Sequence, residues 1–338
     1  MNGKGNGRGR LARLIGVLDK RSIKQTMAQR KYMSEFGVSM FGTLCVLLQQ
    51  EQLDELSGDL FNEEEPCHIY MIGRRPRIAL DPDSLLFTNQ TIEGRFLLQH
   101  GNKFESHEFV TKHPFGTSNV KVDCKYPHSE FKFLDSSGKI LLAGKSAVLM
   151  SKINSRFWPM LNLEVLYIGQ SYGVDGARTA PQRLKEHSTL QSIYAEAIKN
   201  TPDQEIWLVL WAFEPMLAIS IDGRSNQQFL TNDEEDDQHA EQVVRQLINE
   251  QQQINFTEAA LIRYFQPEYN TIYRNSFPNP AHKTYSECYD IDLNSVGVEI
   301  HTEELGCQLW SSSADAKWQH LMFFPLHSRE ERIWMLDF

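Results

Sequence analysis

The apolar residues of this chain fall into runs of different length and period, and the runs divide it. From Cys67 to about Gly144 they are short and broken by turn residues: Cys67–Ile72, Arg95–Leu98, Val120–Val122, Phe131–Leu134 and Ile140–Leu142. Runs of this size predict β-strands, and Asp135-Ser136-Ser137-Gly138 between the last two predicts a hairpin turn. Before them, Met40–Leu48 is a buried apolar stretch with a helical or mixed pattern. After them, residues 146–169 read as two strands joined by a loop that holds Trp158-Pro159. A helix over 181–199 follows, with Pro181 in its first turn, where a missing N–H costs nothing. Ile206–Phe213 is almost wholly apolar, the pattern of a strand buried on both faces at the centre of a sheet. Residues 222–238 are polar and acidic, a solvated insertion. Val243, Val244, Leu247 and Ile248 mark a helix over 239–252, and another over 256–266 stops at Pro267. Residues 284–338 return to short runs such as Val296–Ile300 and Leu321–Phe324, either a separate β-rich tail or the completion of the earlier β-rich part.

These patterns predict an α+β protein in four parts. They are a basic N-terminal helical arm (1–35), a β-rich domain (36–145), a mixed α/β domain (146–280) carrying the acidic insertion, and a β-rich C-terminal region (281–338). A chain of 338 residues with 41% hydrophobic residues can bury a sizeable core, which excludes wholesale disorder. The formal net charge is -10, so binding to a polyanion must use a local patch. Residues 1–31 provide one: nine Lys and Arg against Asp19 alone give +8, leaving -18 for the remainder. Leu11, Ile15 and Leu18 at helical spacing fit an amphipathic helix or a transit peptide equally well. No apolar run is long enough for a membrane-spanning helix, and no secretory pattern opens the chain. Cys45, Cys67, Cys124, Cys288 and Cys307 are odd in number and scattered, as expected of reduced thiols in the cytoplasm. His100, His107, His113 and His128 lie near Cys124 in sequence, but match no metal-ligand spacing and read as surface histidines.

Candidate chemistry is concentrated between Leu161 and Pro278. Glu258 shares the apolar face set by Leu261, Ile262 and Phe265. A carboxylate there is either the last member of a capping box begun by Asn255, or a buried charge that a hard divalent cation would satisfy. Arg183 and His187 are four residues apart and project from one helix face. They are ordinary surface residues, or else a phosphate-gripping fork beside a proton shuttle. Tyr167 alternates with Leu163 and Val165 on a strand that ends at Gly169, where the backbone can be approached closely. Asn270 follows the helix stop, either as a turn residue or as a support for the site.

Taken in order, Tyr167-Ile168-Gly169, Arg183-x-x-x-His187, Glu258-x-x-x-Ile262 and Pro267-x-Tyr269-Asn270 resemble the core of the GIY-YIG nuclease family. The segment from Glu258 to Pro278 is similar to the end of the nuclease module in the bacterial excinuclease incision subunit. The resemblance covers residues 146–278. It implies a small α/β sandwich around a three-stranded antiparallel sheet and metal-dependent hydrolysis of phosphodiester bonds in nucleic acid, with DNA expected before RNA, in DNA processing or defence. It implies that Tyr167 lies beside the reacting phosphate as a general base, that Arg183 stabilises phosphate charge, and that His187 assists water or the leaving group. Glu258 would be the single protein ligand of Mg²⁺ or Mn²⁺, and Asn270 would support the site. The β-rich flanks would supply target choice or a protein partner. The family's first motif, Gly-Ile-Tyr on the preceding strand, has no match on the nearest predicted strand, Ala147–Met150. Tyr172 or Tyr194 are the expected substitutes for its tyrosine. A second reading, motivated by that gap, keeps the module as a scaffold or nucleic-acid reader without turnover.

Overall fold

The computed structural model describes residues 29–56, 60–62, 65–172, 180–185, 187–222, 229–246 and 248–337. Most of the basic arm, residues 1–28, lies outside the described residues. In chain order the elements are β1 (Ser34–Leu48), β2 (Cys67–Pro76), β3 (Ile78–Leu80), β4 (Leu86–Phe87), β5 (Thr91–His100), β6 (Lys103–Lys112), β7 (Lys121–Asp123), β8 (Glu130–Leu134) and β9 (Ile140–Lys145). Then come α1 (Ser146–Ile153), β10 (Leu163–Gln170), α2 (Ala180–Leu184), α3 (Ser188–Asn200), β11 (Gln204–Ile221), α4 (Asp233–Arg245), α5 (Glu250–Phe265) and α6 (Glu287–Asp290). Four strands close the chain: β12 (Ser295–His301), β13 (Leu309–Ser311), β14 (Ala314–Lys317) and β15 (Gln319–Pro325).

The protein is mixed α/β, dominated by strands, and its main sheet is nearly closed. That sheet has eight strands in the order β14-β13-β10-β2-β11-β1-β12-β15. The apolar run of β11 lies between β2 and β1, and Ile206–Ala212 is buried throughout, as its composition demands. Around the inside of the curve lies α5. Ile254, Phe256, Ala259, Ala260, Leu261, Ile262 and Phe265 are all buried, so apolar residues occupy nearly its whole circumference. A helix of that pattern needs cover on every side. At its C-terminal end the two edges of the sheet approach: His320 on β15 donates from Nε2 to Leu309 O on β13 at 3.1 Å, and accepts at Nδ1 from the Tyr264 hydroxyl at 3.1 Å.

Several sequence expectations are corrected by this topology. Met40–Leu48 is strand, not helix, because it pairs with β11 on one side while its first two residues, Met40 and Phe41, pair with β12 on the other. Residues 146–150 are not a strand but the start of α1. Ala147 and Met150, three apart, are buried while Val148 is exposed, which is a helical period. The boundary at 145/146 separates no two sheets, since β1 and β2 belong with β10 and β11. Nor is 281–338 a separate tail: β12 and β15 extend the main sheet at one edge, β13 and β14 at the other. What stands apart are two small sheets, β3-β5-β4 with β6 on β5, and β7-β8-β9, inserted between β2 and β10. The helix expected over 239–252 is two helices, α4 and α5. The acidic stretch supplies the first turn of α4, where Asp233–Asp236 suit the positive end of the helix dipole.

The N- and C-terminal segments are joined by a buried ionic cluster. Glu35 is fully buried and accepts from Lys31 N at 3.0 Å, Asn294 Nδ2 at 3.1 Å and Arg332 Nε at 3.1 Å. Arg332 Nη2 donates to its second oxygen, and Arg332 Nη1 reaches Asp292 at 2.9 Å. Asp292 also takes Lys31 Nζ and the Tyr32 hydroxyl. Arg30, wholly buried, donates to Ser220 and to Met335 O. Two of the basic residues assigned to the arm are therefore structural. Breaking a buried pair strands a charge, so Arg332→Leu is expected to cost ~3–5 kcal/mol in urea unfolding. The double substitution Glu35→Leu/Arg332→Leu should recover only part of this, because Lys31 N–H and Asn294 lose their acceptor. A single-mutant loss under about 1 kcal/mol would show that the cluster does not hold the termini.

Candidate active site

The candidate site forms where β2 and β10 pair antiparallel, with Tyr70 directly opposite Gly169 and Ile72 opposite Tyr167. A side chain at residue 169 would collide with this arrangement: an added Cβ would sit 2.5 Å from Tyr70 Oη and 2.8 Å from Tyr167 Cε1. Glycine therefore ends Tyr167-Ile168-Gly169 because the Tyr70 ring lies across the backbone there. The two tyrosine rings are 6.2 Å apart and tilted by 35°.

Helices α2 and α3 bring the next two groups. The single helix expected over 181–199 breaks at His187, which instead caps α3: its Nδ1 accepts from Leu190 N–H at 3.1 Å. With Nδ1 an acceptor, the proton of the neutral ring sits on Nε2, which donates to Tyr70 Oη at 2.8 Å. Arg183 Nε donates to the same oxygen at 3.2 Å. Tyr70 Oη thus receives two N–H donors while its ring is fully buried. Burial raises the Tyr70 phenol well above its usual value, the field of Arg183 opposes that, and Tyr167 is likewise raised by burial. The two Nη groups of Arg183 have no hydrogen-bond partner among the described residues.

Glu258 enters from α5. Asn255 is not a cap, because α5 begins at Glu250 under an Asn249 cap. Asn255 instead accepts from Gln170 Nε2 at 3.0 Å and donates to Thr284 O at 2.8 Å, so the capping-box reading of Glu258 is excluded. The carboxyl is pushed up to about 7 by burial, while the Arg183 charge and the Gln170 backbone N–H pull the other way. No Lys, Arg or His nitrogen lies within 4.0 Å of it among the described residues. Glu258 is half-buried by surface area, so its carboxyl keeps some access to solvent while lacking a close ion pair, an arrangement open to a hard cation. No group of three or more His, Cys, Asp and Glu gathers as a metal site among the described residues, so a cation here would rest on Glu258, water and a substrate phosphate.

Asn270 does not face this group. Its Oδ1 accepts from Ile168 N and its Nδ2 donates to Ile168 O, both at 2.8 Å, and Tyr269 N–H donates to Leu166 O. The Pro267-x-Tyr269-Asn270 segment thus satisfies the edge of β10 beyond the end of β13, fixing the backbone between Tyr167 and Gly169. The expected substitute tyrosines lie elsewhere: Tyr172 donates to Glu250 at 3.0 Å, and Tyr194 packs beside Leu190 and Ile193, pushed up to about 12 by burial. The residue that sequence reasoning missed is Tyr70, in His68-Ile69-Tyr70. The run Cys67–Ile72 is legible as a strand, but residues 77–162 separate it from β10 in sequence. No family model, curated protein or solved structure matches the chain.

Two outcomes are expected. Gly169→Ala should displace one tyrosine and cost ~1–3 kcal/mol by overpacking, measured by chemical unfolding. The second concerns Glu258, whose carboxyl lies above its unfolded value of 4.5 in the folded state, so the fold favours the protonated form. Its contribution to stability is intact below about pH 4.5 and lost as the pH rises through about 7. Glu258→Gln should therefore unfold on the order of 1–3 kcal/mol less readily than wild type at pH 8, with the gap closing toward pH 4.5. An equal stability difference at both pH values would contradict this environment for Glu258.

Proposed function

We propose that the protein is a phosphodiester hydrolase of the GIY-YIG type, a metal-dependent endonuclease acting on nucleic acid, with DNA as the expected substrate. One observation carries the reading: Tyr70, Tyr167, Arg183, His187 and Glu258, brought from two strands and three helical segments, share one electrostatic neighbourhood. Tyr70 takes the role of the first-motif tyrosine, with His68 where the family has glycine.

In this reading the unpartnered Nη groups of Arg183 grip the non-bridging oxygens of the scissile phosphate, where planar fork geometry suits two acceptors. His187, held by Leu190 N–H, cannot swing freely, so its part is to orient Tyr70. The Arg183 donor on Tyr70 Oη only partly offsets the burial that keeps both tyrosines phenols, so the Tyr70–Tyr167 pair acts by aligning the attacking water through its hydroxyls. Glu258 would hold Mg²⁺ or Mn²⁺, which when bound supplies the positive charge that lowers the proton affinity of the attacking oxygen. Ionised Glu258 is needed for that, so cation affinity rises with pH toward and through about 7. Asn270 positions β10, and the inserted strands β3–β9 supply target choice or a protein partner.

A binder without turnover remains the rival, favoured by His68 in the glycine position, buried and donating from Nδ1 to Ser171 O at 2.6 Å. Purified protein incubated with plasmid DNA and structured RNA in Mg²⁺ or Mn²⁺ separates the two. The nuclease reading expects nicking that EDTA abolishes and that falls roughly 10²–10³-fold in Glu258→Gln, Arg183→Ala and Tyr70→Phe. Salt-sensitive binding with no cleavage of either polymer, or cleavage unchanged in Glu258→Gln, would favour the binder.

A further inference from the structure

Strand β11 outruns its neighbour on one side. β2 pairs with it only from Gln204 to Ala212, while β1 stays paired as far as Ile221, so residues 213–221 form an open sheet edge. The register fixes which backbone groups face outward there. Asp222 N–H donates to Met33 O, so in this antiparallel ladder the hydrogen-bonded pairs are Met33/Asp222 and every second pair after it: Glu35/Ser220, Gly37/Ala218 and Ser39/Met216. The residues between them, Leu217, Ile219 and Ile221, turn their N–H and C=O away from β1. Phe36, opposite Ile219, does the same on the far side of β1, where its carbonyl accepts from Asn294 N–H. Pro215, with no N–H to offer, occupies the same outward row, where a sheet tolerates it. The outward groups of Leu217, Ile219 and Ile221 have no hydrogen-bond partner among the described residues. Ile219 and Ile221 are also 54% and 63% exposed. An edge of open backbone and apolar side chains is a template for one more strand.

The chain's own N-terminal segment fits this edge in position, length and charge. It joins the described residues at Gln29, whose carbonyl accepts from Ile333 N–H, and the next residue, Arg30, donates to Ser220 of β11. Leu11–Leu18 is apolar at six of eight positions and holds Ile15 and Val17, a run whose length suits a strand as well as a helix. Residues 19–28 separate it from Gln29 and span at most about 33–36 Å when extended. The open edge, 213–221, is about 30 Å long, so all of it lies within reach. Residues 1–28 hold seven Lys and Arg against Asp19, and Lys20, Arg21 and Lys24 fall in the connection. The chain after Gln29 passes the first turn of α4, where Met33 N–H donates to Asp236. Beside it Asp233, Glu234 and Asp237 are exposed, with no cation within 4.0 Å among the described residues.

We propose that residues 11–18 add to the open edge of β11 as a further strand of the main sheet, with Lys20, Arg21 and Lys24 set against the acidic first turn of α4. Covering the edge in cis also keeps two copies of the protein from pairing edge to edge. Residue-resolved hydrogen exchange on the full-length protein tests this, with Leu14→Pro/Val17→Pro as the comparison. The two positions are three apart, so one of them faces the edge in either register, and proline cannot donate there. The amides of Leu217, Ile219 and Ile221 should exchange at least about tenfold more slowly in wild type than in the proline variant. Those of Ala218 and Ser220, which bond to β1, should be equally slow in both and report that the sheet itself is intact. Lys20→Glu/Arg21→Glu/Lys24→Glu should also speed the three edge amides. Edge amides that exchange equally fast in wild type and the proline variant overturn the proposal. Protection that rises with protein concentration and survives the proline substitutions overturns it as well, and assigns the edge to a second copy.

Discussion

The site depends on one packing constraint: the Tyr70 ring lies across the backbone of Gly169, and only a residue without a side chain allows it. That contact sets the register of β2 against β10 at the point where chemistry is expected. It also places Tyr70 Oη where Arg183 Nε and His187 Nε2 both reach it. A shift of one residue would send Tyr70 to the opposite face of the sheet and dissolve the group. The backbone at this register is held from the other side by Asn270, whose amide makes two hydrogen bonds to Ile168. The residue expected as a turn former or a support for the site is thus bonded to the β10 backbone and not to the Tyr70 group.

The second element is the enclosed helix. Because the main sheet wraps α5 on nearly all sides, the helix axis is fixed, and Glu258 is carried to the strand ends without a flexible loop. The same enclosure desolvates its carboxyl, and the Arg183 charge only partly compensates. A fold selected for stability alone would place glutamine there. The strained electrostatics at Glu258 contrast with the ionic cluster of Glu35, Asp292 and Arg332, where each charge is matched at hydrogen-bond distance. The Glu35 carboxylate is fully buried and matched within the protein, whereas Glu258 is half-buried and lacks a close ion pair.

Much of the site was legible in the sequence, and the part that was not has a physical reason. Tyr167, Arg183, His187 and Glu258 each have an ordinary reading from residue type and spacing, were singled out together by the resemblance of their order to a nuclease family's motifs, and lie in one neighbourhood of the structure. The β11 strand was readable because a run buried on both faces has a composition no surface element shares. Tyr70 was not, because strand pairing is non-local: residues 77–162 intervene, and no local pattern says that β2 pairs with β10 rather than with its sequence neighbours. The same limit explains the misplaced boundary at 145/146. Local ambiguity explains the rest. Ala147–Met150 carries too few residues to distinguish a period of two from one near four, and Asn255-x-x-Glu258 has the letters of a cap while lying inside a longer helix.

The central claim is that Glu258 and Arg183 face one space that takes a cation and a phosphate. Anomalous diffraction from crystals of the protein soaked in Mn²⁺ with a non-cleavable dinucleotide tests it most directly. The account predicts a manganese peak roughly 2.0–2.6 Å from a Glu258 oxygen, with the phosphate between it and the Arg183 guanidinium. Manganese bound elsewhere, with Glu258 closed onto Arg183 as a simple ion pair, would contradict it.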